Sequence, residues 1–345
     1  MALFLAGFLA RYVAPDRFWW FQLAGIAFPF LALALVPATL VVLQQKAWRL
    51  LVVHGFMLVL AASRFVSFGE ASASAADSEA LRYMSYNIGH PEKDAPANRT
   101  RQMRQLLRTA HADLIGFQEF VVRYRQRVPE IQNLPRVSAL FDSLEYEAIG
   151  SEVNEVGTTF LPVIAYAPNV RLLRQEKHRI NLNNQPEFSV QRVEFEWMGR
   201  TAALYNVHLR TFGSRKPWEE EDASLLNWRL WTRYMRQYRH AFQMRAWEAA
   251  EIRKLVENET GPVVLSGDFN STQHNYAYQV LAGPMRDAFR VAGGLWGATF
   301  PANFPLVRID HVLVSPEWNV VDARVLEIEG SDHRPTQVVL TWVGR

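Results

Sequence analysis

The sequence predicts an α+β domain, built as a sandwich of sheets and helices, that is preceded by transmembrane helices. Three observations lead to this fold class. An almost wholly apolar run near the start, Phe18 to Leu43, is long enough to cross a bilayer. Farther along, alternating apolar and polar residues at 188–197 and 202–209 predict a β-hairpin. Helical spacing at 101–110 and 223–257 adds helices, and antiparallel pairs mixed with helices favour a sandwich over a doubly wound parallel sheet.

The amino-terminal region is predicted to form a membrane anchor of two or three helices over residues 1–65. The run from Phe18 to Leu43 has 26 residues with one strongly polar side chain, Gln22, whereas about 20 apolar residues suffice for a span. A second run, Leu50 to Ala62, is shorter and crosses if its flanking arginines extend toward the interfaces. Ala2 to Ala10 is too short to cross alone. The alternative for these runs is a buried core helix of a soluble protein.

Basic residues predict on which side of the membrane the rest of the chain lies. The connection between the two long runs carries Lys46 and Arg49 and no acidic residue, which places it in the cytoplasm under the positive-inside rule. Everything after Arg64 then lies outside. The sequence therefore predicts an integral membrane protein whose remaining domain lies on the outer side of the membrane. A cleavable signal peptide is the alternative, but the first apolar run is too long and begins too late.

Composition excludes some chemistry and bounds the outer domain. The chain of 345 residues has no cysteine, so disulfides, thiolate zinc sites and cysteine nucleophiles are excluded. Small and polar residues predict a linker at 66–80, followed by a single domain at 81–345. The formal net charge of +3 is a weak indication of anionic partners. No obligate protein partner is implied.

Three short polar clusters lie beside apolar runs near the end of the chain. They are Gly267-Asp268-Phe269-Asn270, Arg308-Ile309-Asp310-His311 and Gly330-Ser331-Asp332-His333-Arg334-Pro335. Carboxylates hold hard divalent cations, and amides orient neighbouring groups. Histidines move protons or contact negative charge. In isolation, Asp268 and Asn270 fit a turn that caps a strand equally well. Together the clusters indicate metal-assisted phosphate chemistry.

Six motifs follow one another along the chain, each at the end of a predicted strand. They are Met84-Ser85-Tyr86-Asn87, Asp113-Leu114-Ile115-Gly116-Phe117-Gln118-Glu119, Tyr205-Asn206-Val207-His208-Leu209, Gly267-Asp268-Phe269-Asn270, Arg308-Ile309-Asp310-His311 and Ser331-Asp332-His333-Arg334-Pro335. Together they resemble the endonuclease/exonuclease/phosphatase superfamily, the deoxyribonuclease I-like phosphoesterases, over about Leu81 to Val343. The order of apolar helices, linker and domain is similar to that of the membrane-anchored bacterial branch of this superfamily, which implies a bacterial inner membrane with the domain on the periplasmic or extracellular side. The resemblance implies a four-layer α/β/β/α sandwich at 81–345.

The resemblance also implies a metal site that takes Mg²⁺ or Mn²⁺. Glu119 would hold the cation, while Asn87 would contribute an amide oxygen to the same ion or orient Glu119. Asp332 would be a further metal contact. Without the other motifs, Glu119 fits a solvated loop residue and Asn87 fits a turn former.

A set of catalytic residues is implied in the same way. Asp268 would align or deprotonate the attacking water, and Asn270 would hold that water. Asp310 would orient His333, since a carboxylate bonded to one ring nitrogen fixes the tautomer and raises the basicity of the ring. His208 would meet the phosphate or protonate the leaving oxygen. Which histidine is the acid and which the base stays open.

Three further residues are predicted to contact the substrate. Asn206 lies two residues before His208 on the same strand face. Arg308 offers a positive charge beside Asp310. Tyr166 offers a hydroxyl toward phosphate, although Pro162 departs from the superfamily pattern in this strand.

The sequence therefore predicts a membrane-anchored phosphoesterase that hydrolyses phosphodiester or phosphomonoester bonds, with nucleic acid, lipid headgroups and small phosphate esters all open as substrates. A row of arginines fits a basic wall for nucleic acid or anionic lipid, or equally a solvated helix face. The row is Arg229, Arg233, Arg236 and Arg239. One alternative function is a catalytically silent, membrane-tethered phosphate-binding protein of the same fold. Another is a membrane protein whose helices serve transport or scaffolding.

Overall fold

The computed structural model of the protein describes residues 1–65, 79–89, 96–123, 146–150, 158–180, 188–213, 217–221, 224, 226–294, 296–328 and 331–343. The chain forms two compact units. The first comprises Met1–Phe68, Leu209–Arg253 and Asn270–Gly283, and the second comprises Gly69–His208, Lys254–Phe269 and Pro284–Arg345. The first unit thus includes two segments of the predicted outer domain. Residues 66–78 of the predicted linker lie outside the described residues.

Helices occur in both units. Within the described residues they are α1 (Ala2–Leu9), α2 (Pro15–Phe18), α3 (Trp20–Gln44), α4 (Trp48–Phe65), α5 (Pro96–Ala110), α6 (Trp228–Glu257), α7 (Tyr276–Ala282) and α8 (Ala288–Ala292). The helix predicted at 223–257 begins later, at Trp228. Asn227 explains this start, because its side-chain oxygen accepts the backbone N–H of Leu230 at 3.1 Å and so caps the helix.

Two helices of the first unit, α3 and α4, are long and apolar enough to cross a membrane, with 25 and 18 residues. Phe4 of α1, Phe28 of α3 and Met57 of α4 share one buried cluster, so these three helices pack together. Pro29 and Pro37 lie inside α3 without ending it, as prolines do in bundles of membrane helices. By length and composition, α3 and α4 are candidate membrane spans.

The second unit contains two six-stranded sheets. The strands are β1 (Leu81–Asn87), β2 (Leu114–Arg123), β3 (Glu147–Gly150), β4 (Thr158–Tyr166), β5 (Arg171–Ile180), β6 (Phe188–Trp197), β7 (Arg200–His208), β8 (Val263–Asp268), β9 (Arg286–Asp287), β10 (Asp310–Val314), β11 (Trp318–Val325) and β12 (Thr336–Trp342). The strand orders are β11-β12-β1-β2-β4-β3 and β5-β6-β7-β8-β10-β9. This is the mixed fold of two sheets and helices that the sequence predicts.

The predicted hairpin between β6 and β7 is confirmed. Trp197 pairs with Arg200, and the two residues between them, Met198 and Gly199, have φ angles of 51° and 75°. Positive φ at both central positions gives a turn whose twist matches that of the flanking strands.

The main core of the second unit lies between the two sheets. Leu81 and Tyr83 of β1 and Leu114 of β2 enter it from the first sheet, and Leu204 of β7 and Val264 of β8 enter it from the second. Because successive residues of a strand point to opposite faces, every second residue of these strands faces the core.

The opposite face of the first sheet is covered by α5. Met103 and Leu107 of this helix are buried against Met84 of β1 and against Ile115 and Phe117 of β2. The helical spacing that predicts α5 is therefore the spacing of its buried face.

Candidate active site

Rows of core-facing side chains in five strands change from apolar to polar toward the same end of the sandwich. The rows are Leu81, Tyr83, Ser85 and Asn87 in β1; Leu114, Gly116 and Gln118 in β2; Leu204, Asn206 and His208 in β7; Val264, Ser266 and Asp268 in β8; and, running in the opposite direction, Val314, Val312 and Asp310 in β10. The first members of each row stabilise the core. Asn87, His208, Asp268 and Asp310, the last members of four of these rows, form a cluster of an amide, an imidazole and two carboxylates.

Asp268 lies at the centre of this cluster. The strand register places His208 of β7 beside it on one side and Asp310 of β10 on the other. Its Oδ2 accepts a hydrogen bond from Asn87 Nδ2 at 3.0 Å. The Nε2 atoms of His208 and His333 lie 3.5 Å and 3.8 Å from the same oxygen. Asp268 is only 1% exposed, so its charge depends on these neighbours for compensation.

A buried pair, Asp310 and His333, adjoins Asp268. Asp310 Oδ2 lies 2.9 Å from His333 Nδ1, which fixes the ring and leaves Nε2 on the side of Asp268. Burial is the largest influence on the pKa of His333 and opposes the imidazolium. The carboxylates of Asp310, Asp268 and Asp332 outweigh burial and raise the pKa of His333 to about 10. Without a bound metal, the ring is therefore cationic at neutral pH.

Glu119 reaches the cluster through a β-bulge. The pairing of β2 with β4 is interrupted between Phe117 and Phe120. In this gap, two residues of β2, Gln118 and Glu119, lie opposite a single residue of β4. Glu119 has a φ of 57°, in the left-handed region that residues other than glycine rarely adopt. Its Oε1 lies 3.3 Å from Asn87 Nδ2 and 3.6 Å from His208 Nε2. The bulge therefore turns the carboxylate toward the other site residues.

Gly267 fixes the backbone directly before Asp268. Its φ is 139°, and a Cβ at this position would overlap the carbonyl oxygen of Val207 on β7. Only glycine combines this φ with so close an approach. The glycine of the motif thus keeps β8 close to β7, where His208 follows Val207.

The donor set fits a divalent cation. Two groups of side chains offer possible ligand atoms, and within each group these atoms lie within 4.8 Å of one another. The first group is Glu119, His208 and Asp268. The second is Asp268, Asp310 and His333. Two buried atoms, His208 Nε2 and Asp310 Oδ1, have no hydrogen-bond partner among the described residues. A bound cation and its waters would supply partners for such atoms. These buried acidic and imidazole groups could therefore bind a metal.

The other two predicted metal residues, Asn87 and Asp332, are placed in different ways. Asn87 turns its amide nitrogen toward Glu119 and Asp268, and its oxygen accepts the backbone N–H of Gly89 at 2.9 Å. This arrangement fits the alternative in which Asn87 orients Glu119, and the role of Asn87 stays a prediction. Asp332 is exposed, lies against Gly89, and belongs to neither group of candidate ligands among the described residues.

Asn206 lies next to the site but is fully buried. Its Nδ2 donates to the carbonyl oxygen of Phe117 at 3.0 Å, and its Oδ1 accepts from Gln118 Nε2 at 2.7 Å. Both partners belong to β2 of the opposite sheet. Asn206 therefore cross-links the two sheets below His208, and its predicted contact with a substrate stays a prediction.

Tyr166 is not brought to the site. It pairs with Leu114, at the opposite end of β2 from Glu119, and its hydroxyl donates to Glu147. Five residues of extended chain separate Leu114 from Glu119, or about 17 Å at ~3.3 Å per residue. The sequence places Tyr166 at a strand end but does not reveal which end.

Arg308 is also engaged elsewhere. Its two terminal nitrogens each lie 2.8 Å from a carboxylate oxygen of Asp287, and both residues are buried. Asp287 in addition accepts the backbone N–H of Arg290 and caps α8. This two-point ion pair supports the loop that precedes Asp310. Sequence reasoning missed Asp287, since nothing in its local pattern indicates a partner so far along the chain.

A polar layer beneath the site was also missed. Gln118 Nε2 donates to Ser85 Oγ at 3.2 Å and to Asn206 at 2.7 Å, and the Tyr83 hydroxyl is hydrogen-bonded to Ser266. All five side chains are buried. The available signal was the two-residue period, because Ser85, Asn206 and Ser266 each precede a predicted site residue by two positions.

Asn270 is described within the first unit. It has a φ of 47°, and its Nδ2 donates to the carbonyl oxygen of Leu209 at 3.0 Å. Its own carbonyl oxygen accepts from Arg245, whose Nε donates to the carbonyl of Arg210 at 2.6 Å. Asn270 is thus held to the residue that follows His208, and its catalytic role stays a prediction.

The arginine row on α6 is mixed in character. Arg233 pairs with Glu220 at 2.8 Å, as a solvated face beside an acidic run would predict. Arg229, Arg236 and Arg239 are exposed. Both interpretations of the row therefore stay open.

Comparison with known proteins identifies the class. The model of the Endonuclease/Exonuclease/phosphatase family matches residues 84–333, so the chain belongs to this family, as its motifs predict. The family acts hydrolytically on phosphate esters, and its members depend on divalent metals. No curated protein matches the chain significantly.

Solved structures share the fold at low sequence identity. A mannosyl-6-phosphatase of Bacteroides thetaiotaomicron is 18% identical with a TM-score of 0.55, covering 76% of this chain and 100% of that one. A protein of Enterococcus faecalis described as functionally unknown is 17% identical with a TM-score of 0.57, covering 76% and 100%. D. rerio TDP2 complexed with a single-strand DNA product is 14% identical with a TM-score of 0.53, covering 76% and 99%. At these identities the similarity shows the fold alone.

Proposed function

We propose that this protein is a membrane-anchored, divalent-metal-dependent phosphoesterase that hydrolyses phosphodiester or phosphomonoester bonds. The observation that carries the proposal is the arrangement around Asp268. Asn87, His208 and His333 all lie within 3.8 Å of one of its oxygens, and Glu119 adjoins them. Attack on a phosphate ester needs a cation site, a group that aligns water and positive charge near the phosphate, and this cluster offers all three.

Glu119 would hold the cation, taken as Mg²⁺ or Mn²⁺, while Asn87 keeps its carboxylate in place. When bound, the metal neutralises phosphate oxygens and favours departure of the leaving group. Magnesium usually takes one or two carboxylates and retains several waters, so Glu119 with one further carboxylate would suffice.

The remaining groups act on water and charge. Asp268 aligns the attacking water, with Asn270 assisting. His333, held as an imidazolium by Asp310, places positive charge at Nε2, close to the Asp268 carboxylate. His208 Nε2 is available to meet a phosphate oxygen or to protonate the leaving oxygen. Preorganised charge of this kind is usually the largest single contribution to catalysis.

The substrate class is a phosphate ester, with nucleic acid, lipid headgroups and small esters as candidates. One relative of the fold is a mannosyl-6-phosphatase and another is bound to a single-strand DNA product. Since relatives differ in this way, the fold alone does not choose among the candidates.

We further propose that residues 1–65 anchor the protein, that 66–80 form a linker, and that 81–345 form the catalytic region. α3 and α4 support the anchor by their length and apolar composition. The basic connection at Lys46 and Arg49 supports a cytoplasmic side for that connection, and hence a periplasmic or extracellular catalytic region in a bacterial inner membrane.

The catalytic proposal is tested with the purified full-length protein in lipid nanodiscs. The substrates are DNA, sphingomyelin, phosphatidylinositol phosphates and bis-p-nitrophenyl phosphate. We expect turnover of at least one substrate, its loss in EDTA, its return with Mg²⁺ or Mn²⁺, and a fall of roughly 10²–10³ in kcat for Asp268→Asn. Asp322→Asn on β11 is the matched control and should keep full activity. Equal rates for wild type and Asp268→Asn would overturn the proposal.

The orientation is tested by single-cysteine labelling. Because the chain has no native cysteine, only the introduced thiol can react. Glu317→Cys and Lys46→Cys place a thiol at two exposed positions. A membrane-impermeant maleimide should label Glu317→Cys on spheroplasts and Lys46→Cys only after lysis. The reverse pattern would refute the proposed orientation.

A further inference from the structure

Gln22 is a buried polar side chain in an otherwise apolar candidate membrane span. It is 1% exposed, and a buried amide is costly unless its hydrogen bonds are made. Its Nε2 donates to the carbonyl oxygens of Ala10 and Val13, both at 2.9 Å. Its Oε1 accepts the backbone N–H of Tyr276 at 2.9 Å and Asn275 Nδ2 at 3.3 Å. One side chain thus joins the amino-terminal helices to a segment more than 250 residues later.

Asn275 carries this connection toward the catalytic motif. Its Nδ2 also donates to the main-chain oxygen of Gln22 at 2.8 Å. Its Oδ1 accepts from the backbone N–H and the hydroxyl of Thr272, at 2.9 Å and 2.8 Å. Asn275 and Thr272 are both buried, so water does not readily replace these bonds.

Thr272 follows Asn270 by two residues and Asp268 by four. Asn270 holds the left-handed conformation and is bonded to Leu209 and Arg245, as described above. Asparagine adopts that conformation more readily than most residues, and these hydrogen bonds hold Asn270 in it. Within the first unit, the surroundings of Asn270 therefore extend through Thr272 and Asn275 to Gln22.

Other contacts in the first unit hold the same segment. The ring of His274 is buried, with centroids 4.9 Å from Phe28 and 5.5 Å from Phe65. A Cβ on Gly25 would come within 3.0 Å of the carbonyl oxygen of His274, so α3 approaches this segment as closely as a glycine permits. Arg11 donates to Gln279 of α7. The amino-terminal helices and residues 272–279 therefore pack as one body.

We propose that Gln22 is a positioning residue for the reaction. Through Asn275 and Thr272 it sets the conformation of the chain that leaves Asp268, so the helices that anchor the protein also shape the catalytic motif. This inference rests on the phosphoesterase function proposed above. The competing view is that these helices only tether the enzyme and that Gln22 contributes to packing alone.

The two views are separated by comparing Gln22→Leu with Gln44→Leu, the same substitution at an exposed position of the same helix. Both variants are assayed as full-length protein in nanodiscs on the substrate that wild type turns over. We expect Gln22→Leu to lower kcat by about 10-fold or more with KM changed less than about 2-fold, because displacing a catalytic group by about 1 Å can cost up to about 10²-fold in rate. Gln44→Leu should match wild type.

A conservative variant separates positioning from folding. Gln22→Glu keeps the acceptors for Asn275 and Tyr276 and loses the donor to Ala10 and Val13. It should recover most of the kcat lost in Gln22→Leu, whereas a purely structural requirement would leave the two variants equally impaired. Carbonate-resistant membrane association and the thermal unfolding midpoint are measured for each.

Asn275→Asp supplies the decisive variant if Gln22→Leu does not fold. The carboxylate still accepts from Thr272 but no longer donates to Gln22. We expect a loss of kcat similar to that of Gln22→Leu and a double variant that loses no more than the larger single loss, because the two changes break the same connection. Wild-type kcat in Asn275→Asp would overturn the inference. Absence of turnover in the wild type itself would instead refute the proposed function, so the two failures are distinguishable.

Discussion

The two ends of the core between the sheets differ sharply although they are built from the same strands. In β7 and β8, Leu204 and Val264 occupy the apolar end, while His208 and Asp268 occupy the polar end four residues later. Both ends are largely buried. The residues that stabilise the fold and the residues that carry the chemistry are therefore separated along the strand axis. Because alternate residues of a strand share a face, both sets point into the space between the sheets.

The energetic consequences of burial are opposite at the two ends. A fully buried leucine or valine contributes about 1.5–3 kcal/mol. A buried carboxylate has to be compensated, and here the buried Asp268 lies close both to Glu119 and to Asp310. The apolar end therefore stabilises a polar end that is tolerable only because its groups are paired or bind a cation. Substitutions at one end therefore test whether the other end responds.

The largest expected effect is on activity, at the polar end. Asp268→Asn keeps the size of the side chain and removes one of the crowded negative charges. Besides the fall of roughly 10²–10³ in kcat, we expect the free energy of unfolding of the metal-free protein to stay the same or to rise. Urea denaturation in EDTA, followed by tryptophan fluorescence, checks this. A loss of more than about 2 kcal/mol would mean that Asp268 is needed for folding as well.

The next effect is on stability, at the apolar end. Leu204→Ala leaves a cavity in the core between the sheets and should lower the free energy of unfolding by about 2–5 kcal/mol. At a temperature well below the unfolding midpoint, kcat should stay within about 2-fold of wild type, since Leu204 lies four residues before His208. A loss of kcat comparable with that of Asp268→Asn would show that the two ends are not independent.

The boundary between the ends should show coupling. Asn206→Leu leaves Gln118 without its acceptor in the opposite sheet and should cost about 1–3 kcal/mol of stability. Gln118→Leu added to it should cost less than the sum of the two single changes, because no unpaired partner remains. Additive losses in urea denaturation would argue against a direct cross-link.

Local pattern was enough to predict much of this arrangement. The alternation at 188–209 predicts the β6–β7 hairpin, and the motifs at strand ends contain His208, Asp268, His333 and Glu119, whose side chains lie near one another in the structure. The family and the two-sheet fold follow from the same motifs, because each motif reports a strand and the polar group at its end. These features depend on residues that are near neighbours in sequence.

Features set by distant partners were not predictable in this way. The position of Tyr166 depends on the pairing of β4 with β2, and the pairing of Arg308 depends on Asp287, 21 residues away. In the sequence, Gln22 is a single polar residue in an apolar run. Its hydrogen-bond partner Asn275 lies 253 residues later and is identified only by the structure. Periodicity reports which face of an element is buried but not which element covers it.

The smallest expected effect is a shift in titration at the polar end. In the metal-free protein the pKa of His333 is raised to about 10 from an ordinary value of 6.5, so the stability gained from its imidazolium is fully present below pH 6.5 and is lost as the pH rises through about 10. Asp310→Asn removes the carboxylate nearest to the ring. The pKa of His333 should then fall, because burial still opposes the charged form.

Ring-nitrogen NMR shifts of His333, followed from pH 6 to about 11 in EDTA, check this prediction directly. His54→Gln, a substitution of a half-buried histidine in α4, serves as the control that leaves the His333 titration unchanged. A wild-type ring that titrates near 6.5 would show that the carboxylates do not hold the imidazolium. The polar end would then lack the fixed positive charge that separates its chemistry from that of the apolar end.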